Sequence, residues 1–123
     1  MNAAIDIDVE TQYLPNQSSP TEKRFVFAYT ITINNQGDEA VQLLRRHWLI
    51  TDGNEDIQEV EGEGVVGEQP LIAPGASYRY TSGAILETST GTMEGSYLMR
   101  SASGTTFDAP IALFPLIHPM ALH

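Results

Sequence analysis

Phe25-Val26-Phe27-Ala28-Tyr29-Thr30-Ile31-Thr32-Ile33 puts a large apolar side chain at every odd position and mostly small or polar ones between them. Successive side chains of a β-strand leave opposite faces, so this period of two predicts a half-buried strand. Phe25, Phe27, Tyr29, Ile31 and Ile33 then face the core. Upstream, Ala3, Ile5, Ile7 and Val9 alternate with Asp6, Asp8 and Glu10 in the same way. Downstream, Met93, Tyr97 and Met99 share one face, and Phe107, Ile111 and Leu113 share another.

The punctuation between these runs is turn chemistry. Asn34-Asn35-Gln36-Gly37-Asp38, Asp52-Gly53-Asn54, Ala73-Pro74-Gly75 and Ser101-Ala102-Ser103-Gly104 each follow an apolar run, and Asn, Asp, Gly and Pro are the residues that turns require. No window keeps a 3.6-residue period over three turns, so no long helix is expected. About seven short strands with turns every 8–12 residues predict an all-β fold, an antiparallel sandwich of immunoglobulin or fibronectin type III-like kind. Trp48, on the third strand, is expected to be buried against the opposite sheet. Residues 1–123 read as one domain, with an exposed loop at 10–24 and a C-terminal tail at 114–123. The prolines at 115 and 119 predict that the tail lies along the sandwich without joining a ladder.

Composition narrows the function. The net charge is −10, with 16 acids against 6 bases, so nucleic acid and anionic membrane surfaces are repelled at long range. The paired bases Lys23-Arg24 and Arg45-Arg46 point to opposite strand faces and build no one-sided patch. No stretch approaches the roughly 18 apolar residues of a membrane span. The N-terminal residues lack a basic segment followed by an apolar one, so no signal peptide is expected. Zero cysteines exclude disulfides and thiolate sites and agree with a cytoplasmic protein.

Glu61-Gly62-Glu63-Gly64-Val65-Val66-Gly67-Glu68 carries the G-x-G-x-x-G spacing of a dinucleotide-binding turn. That motif needs a helix after it, whose N-terminus meets the pyrophosphate; here Pro70 and Pro74 leave no room for one. A carboxylate about 6 Å from a phosphate opposes it by roughly 3 kcal/mol at an effective dielectric of about 20, and Glu61, Glu63 and Glu68 all flank the loop. Gly62, Gly64 and Gly67 therefore read first as constrained backbone, with a phosphate-like anion as the ligand the loop would take if it were a site. Asp52, Glu55 and Asp56 are the candidate ligands for a weak divalent cation, since hard cations prefer oxygen. His47, His118 and His123 form no local pair, so no transition-metal site is expected. The absence of a G-x-S-x-G elbow, and of any other local catalytic signature, predicts a protein that is not an enzyme and needs no cofactor.

A different signal concerns partners. In 41–50, Val41, Leu43 and Leu49 oppose Leu44, Trp48 and Ile50; in 93–99, Leu98 opposes Met93, Tyr97 and Met99. One apolar face per strand is enough for a sandwich, so the surplus predicts cover by a loop, by the tail, by self-association or by a protein partner.

Finally, Arg24-Phe-Val-Phe-Ala-Tyr29, His47-Trp-Leu-Ile-Thr51, Val60-Glu-Gly-Glu-Gly-Val-Val-Gly-Glu68, Ile72-Ala-Pro-Gly75, Tyr80-Thr-Ser-Gly83 and Gly91-Thr-Met-Glu-Gly95 occur in order. Together they resemble the ApaG family of small bacterial proteins over nearly the whole chain. The resemblance implies a fibronectin type III-like sandwich, an association with cobalt and magnesium homeostasis, and a partner-binding role like that of eukaryotic proteins carrying the module. It brings no catalytic residues.

Overall fold

The alternating run 25–33 is the middle strand of the smaller sheet. The computed structural model describes residues 4–122; Ala3 and His123 lie outside the described residues. The strands are β1 (Ile5–Tyr13), β2 (Phe25–Asn35), β3 (Val41–Asp52), β4 (Ile57–Glu63), β5 (Leu71–Ile72), β6 (Ser77–Leu86), β7 (Thr90–Ser101) and β8 (Thr106–Ile117). One sheet has the order β1-β2-β6; the other has the order β4-β3-β7-β8, with the two-residue β5 also paired to β3. Every named strand pair is antiparallel. The fold is the predicted all-β two-sheet sandwich, with eight strands because β5 is too short to read from its sequence.

The core lies between the sheets and is continuous. Phe27, Tyr29, Ile31 and Ile33 of β2 meet Val41, Leu43 and Trp48 of β3 and Met93, Tyr97 and Met99 of β7 in one cluster. Phe25 packs at its margin. The hydroxyls of Tyr80 on β6 and Tyr97 on β7 hydrogen-bond to each other across the two sheets. Burial is the main cause that raises both phenols far above the ordinary tyrosine range, so each stays a neutral hydroxyl and the bridge persists.

Two irregularities correct the sequence reading. The β3–β7 register shifts between Leu43 and Arg45, so Leu44 is the extra residue of a bulge. Val41 and Leu43 before it, and Trp48 after it, therefore all reach the core. The change of parity accounts for Val41 and Leu43, whereas Leu44, Leu49 and Leu98 stay half-buried outside the core cluster. The β7–β8 register shifts between Met93 and Gly95. As a result Leu113 is exposed while Phe114 and Leu116 are buried, the reverse of a simple alternation from Phe107 and Ile111.

The tail also differs from expectation. Pro115, Leu116 and Ile117 pair with Thr92, Gly91 and Thr90 as the end of β8, so residues 114–117 belong to the ladder. An edge strand tolerates proline where the missing N–H would face solvent. Likewise β1 runs on to Tyr13, and the connecting segment that follows holds short 3-10 turns at Pro15–Gln17 and Pro20–Glu22. Ser18 Oγ fastens that segment, accepting from Val26 N at 2.9 Å and donating to Leu14 O at 2.8 Å.

Candidate functional site

The two sides of the sandwich end differently. On one side β1 packs along β8, and the His118 ring closes the corner against Tyr13 and Phe25, with centroids 4.4 and 5.7 Å away. On the other side, β4 and β6 are edge strands with no further neighbour among the described residues. A cleft of about 320 Å³ opens between them, with Tyr29 and Trp48 among its walls. Its β4 side is Gln58 and Val60, its β6 side Ser82 to Ile85, and Arg46 stands at one end.

Small residues make this space. Inward positions of β6 carry Ser82 and Ala84 where Tyr78, Tyr80 and Leu86 stand elsewhere on the strand. A second hollow of about 210 Å³ continues the cleft, sharing Ile50, Gln58 and Ile85 and adding Asp52, Asp56 and Glu87. Ile57 and Ile85, at 66% and 52% exposure, lie on its rim. Trp48 is 2% exposed, and its Nε1 has no hydrogen-bond partner among the described residues. An unpaired indole N–H is an exception in a buried core.

The outer face of β4 has opposite chemistry. Glu59, Glu61 and Glu63 alternate on it, opposite Leu49, His47 and Arg45 of β3. His47 Nε2 stands 2.6 Å from Glu59 Oε2 and 3.9 Å from Glu61 Oε1. These ligand atoms lie within 4.8 Å of one another, and among the described residues they form the one group of three or more His, Cys, Asp or Glu that could hold a metal ion. Ligand atoms of a tetrahedral zinc site are about 3.3 Å apart, so modest rotation of exposed glutamates would suit an ion of that class. The expectation that the scattered histidines make no transition-metal cluster missed this grouping. The signal was present: the turn at 52–56 fixes Thr51 opposite Ile57, and the ladder then sets His47 opposite Glu61.

The residues singled out from sequence are placed elsewhere. Asp52 Oδ1 accepts from the N–H groups of Asn54 and Asp56 at 2.8 and 3.0 Å, which closes the β3–β4 turn. Glu55 occupies the left-handed region of that turn, φ 66°. Asp52, Glu55 and Asp56 do not converge as a three-ligand group. Of the glycines, Gly62 lies under the Arg46 guanidinium, which donates to the carbonyls of Glu63 and Gly64 at 3.1 and 3.0 Å. Val66 and Gly67 both have positive φ, and Val65 and Glu68 exchange hydrogen bonds around them, as in a tight two-residue hairpin turn. Gly64 N donates to Leu44 O. The amides of Gly64, Val65 and Glu68 are thus spent inside the protein, and the next element after the motif is the strand β5, not a helix.

Fold and surface together define a β-sandwich domain with one side left open and unpaired among the described residues. Comparison with known proteins supplies its family. The family model described as the ApaG domain (DUF525) matches residues 15–101. A protein of Pseudomonas aeruginosa named Protein ApaG is 58% identical over 119 residues, covering 97% of this chain and 94% of that protein; one from Azoarcus is 55% identical over the same length and coverage. The crystal structure of a Bordetella pertussis protein named ApaA superposes with a TM-score of 0.93 at 48% identity, covering 95% of both chains. The chain belongs to the ApaG family.

Proposed function

We propose that the protein is a non-catalytic interaction module of the cytoplasm that binds partners at the open side between β4 and β6. The observation that carries this reading is the cleft itself, bounded by two unpaired strand edges and lined by Tyr29 and Trp48. Unpaired edges offer main-chain hydrogen bonds, and an adjoining apolar recess offers specificity. Ser82→Trp should fill the recess from its rim. Extracts of the source cytoplasm passed over immobilised protein should leave a partner on the native chain and not on S82W, while both keep the same circular dichroism. Equal retention by the two, or by neither, overturns the reading.

A second reading is favoured by the His47–Glu59–Glu61 cluster: binding of a divalent transition ion, which would bear on the cobalt part of the association that the resemblance implies. One imidazole and two carboxylates suit zinc-class ions better than magnesium, which prefers oxygen ligands in octahedral array. Calorimetric titration with zinc chloride should show saturable binding that His47→Ala abolishes and Asp52→Asn leaves intact. No saturable heat at millimolar zinc, or loss on D52N instead, sinks it.

A further inference from the structure

Taking the interaction reading as its basis, we infer that the partner is an extended segment alternating basic and apolar residues, added as a further strand along the free edge of β4. The two faces of β4 prescribe that pattern. A strand laid beside β4 continues its pleat, so its alternate side chains fall on the same two faces. On the outer face they meet Glu59, Glu61 and Glu63, with Glu59 and Glu61 about 60% exposed at the side chain. On the inner face they enter the cleft beside Val60, opposite Ser82 and Ala84, toward Tyr29 and Trp48. Lysine or arginine suits the first set and medium aliphatic side chains the second. At the far end of the edge, Asp52, Asp56 and Glu87 line the adjoining hollow, which extends the demand for positive charge past the strand's first residue.

The same face argues against the other obvious occupant. A second copy pairing edge to edge would set glutamates beside glutamates, between chains each carrying a net charge of −10. Like charges directly opposite across a sheet are destabilising. Charged edges commonly guard against such pairing, and here the guard also selects, because it rejects the chain's own edge and accepts a basic one.

Trp48 is the chain's only tryptophan and lines the cleft, so its emission reports directly on the inner face. The test uses the 123-residue chain, with a chelator present to remove metal ions, and a blocked heptapeptide alternating lysine with valine, matched to the seven residues of β4. Expected are a saturable change in Trp48 emission and slowed hydrogen exchange at the outward amides of β4. The triple variant Glu59→Gln, Glu61→Gln, Glu63→Gln should bind about tenfold more weakly, from the usual strength of opposed cross-strand charge pairs. A glutamate–valine heptapeptide should not bind.

Equal binding of a serine–valine heptapeptide would overturn the basic partner while leaving the cleft reading intact. Binding of a scrambled lysine–valine peptide without protection of β4 would reduce the effect to charge attraction and overturn strand addition. A lack of response to every peptide at millimolar concentration would also overturn it, and the S82W capture would then decide separately whether the cleft binds anything.

Discussion

Gly95→Ala should destabilise the protein by about 3 kcal/mol or more, at or beyond the upper end of ordinary overpacking costs. Gly95 lies on β7 directly opposite Trp48 of β3. A Cβ built there stands 1.9 Å from the carbonyl oxygen of His47 and 3.2 Å from the Cα of Trp48, where ordinary contact begins at 3.4 Å. The first obstacle is backbone, so no rotamer change relieves it, and the two central strands of the larger sheet must separate. Gly67→Ala is the control. Its φ of 79° strains alanine, but nothing lies within 4 Å of the new Cβ, so its cost should be nearer 1 kcal/mol. Urea unfolding followed by circular dichroism separates the two. A Gly95→Ala loss below about 1 kcal/mol would mean that β3 and β7 are not held at this distance.

That close approach shows what the sequence made visible and what it hid. The strand 25–33 was plain, because each odd side chain is large and each reaches the core or its margin. The turns were plain too, because Asn35, Asp52 and Gly67 do what their chemistry suits: Asn35 Oδ1 accepts from Gly37 N, Asp52 caps the β3–β4 turn, and Gly67 takes positive φ. The bulges were not plain. Leu44 reads like any apolar strand residue, and only the change of parity between Leu43 and Trp48 betrays it. Strand faces counted without a register put Val41 and Leu43 on the wrong face, although Leu44, Leu49 and Leu98 do stay outside the core cluster. The same omission hid His47 from Glu59 and Glu61, which are far apart along the chain and adjacent across one ladder. The cleft was hidden for another reason. It is made by the small size of Ser82 and Ala84 relative to their neighbours on β6, and small residues carry almost no periodic signal.

Trp48→Ala should cost about 4 kcal/mol, within the range for removing a buried tryptophan, whereas Trp48→Phe should stay within about 1 kcal/mol of the native protein. The indole is the hub of the aromatic core. It meets Tyr29, Phe114 and Tyr97 nearly edge to face, with centroids 5.4, 5.9 and 6.3 Å away. Such pairs add roughly 0.5–1.5 kcal/mol each beyond the area they bury, and alanine forfeits all of them and leaves a cavity between the sheets. Phenylalanine keeps a ring among the same neighbours and gives up area. It also removes Nε1, which is buried without a hydrogen-bond partner among the described residues, and an unpaired buried donor carries a penalty of about 1–3 kcal/mol. Loss of area and relief of the orphan donor therefore offset each other in Trp48→Phe and do not in Trp48→Ala. Denaturant midpoints of the two variants and the native chain decide the matter. If Trp48→Phe costs nearly as much as Trp48→Ala, the indole N–H is being satisfied by the face of a neighbouring ring. If Trp48→Phe is neutral while Trp48→Ala is severe, the buried donor is held at an energetic cost that the rest of the aromatic core offsets.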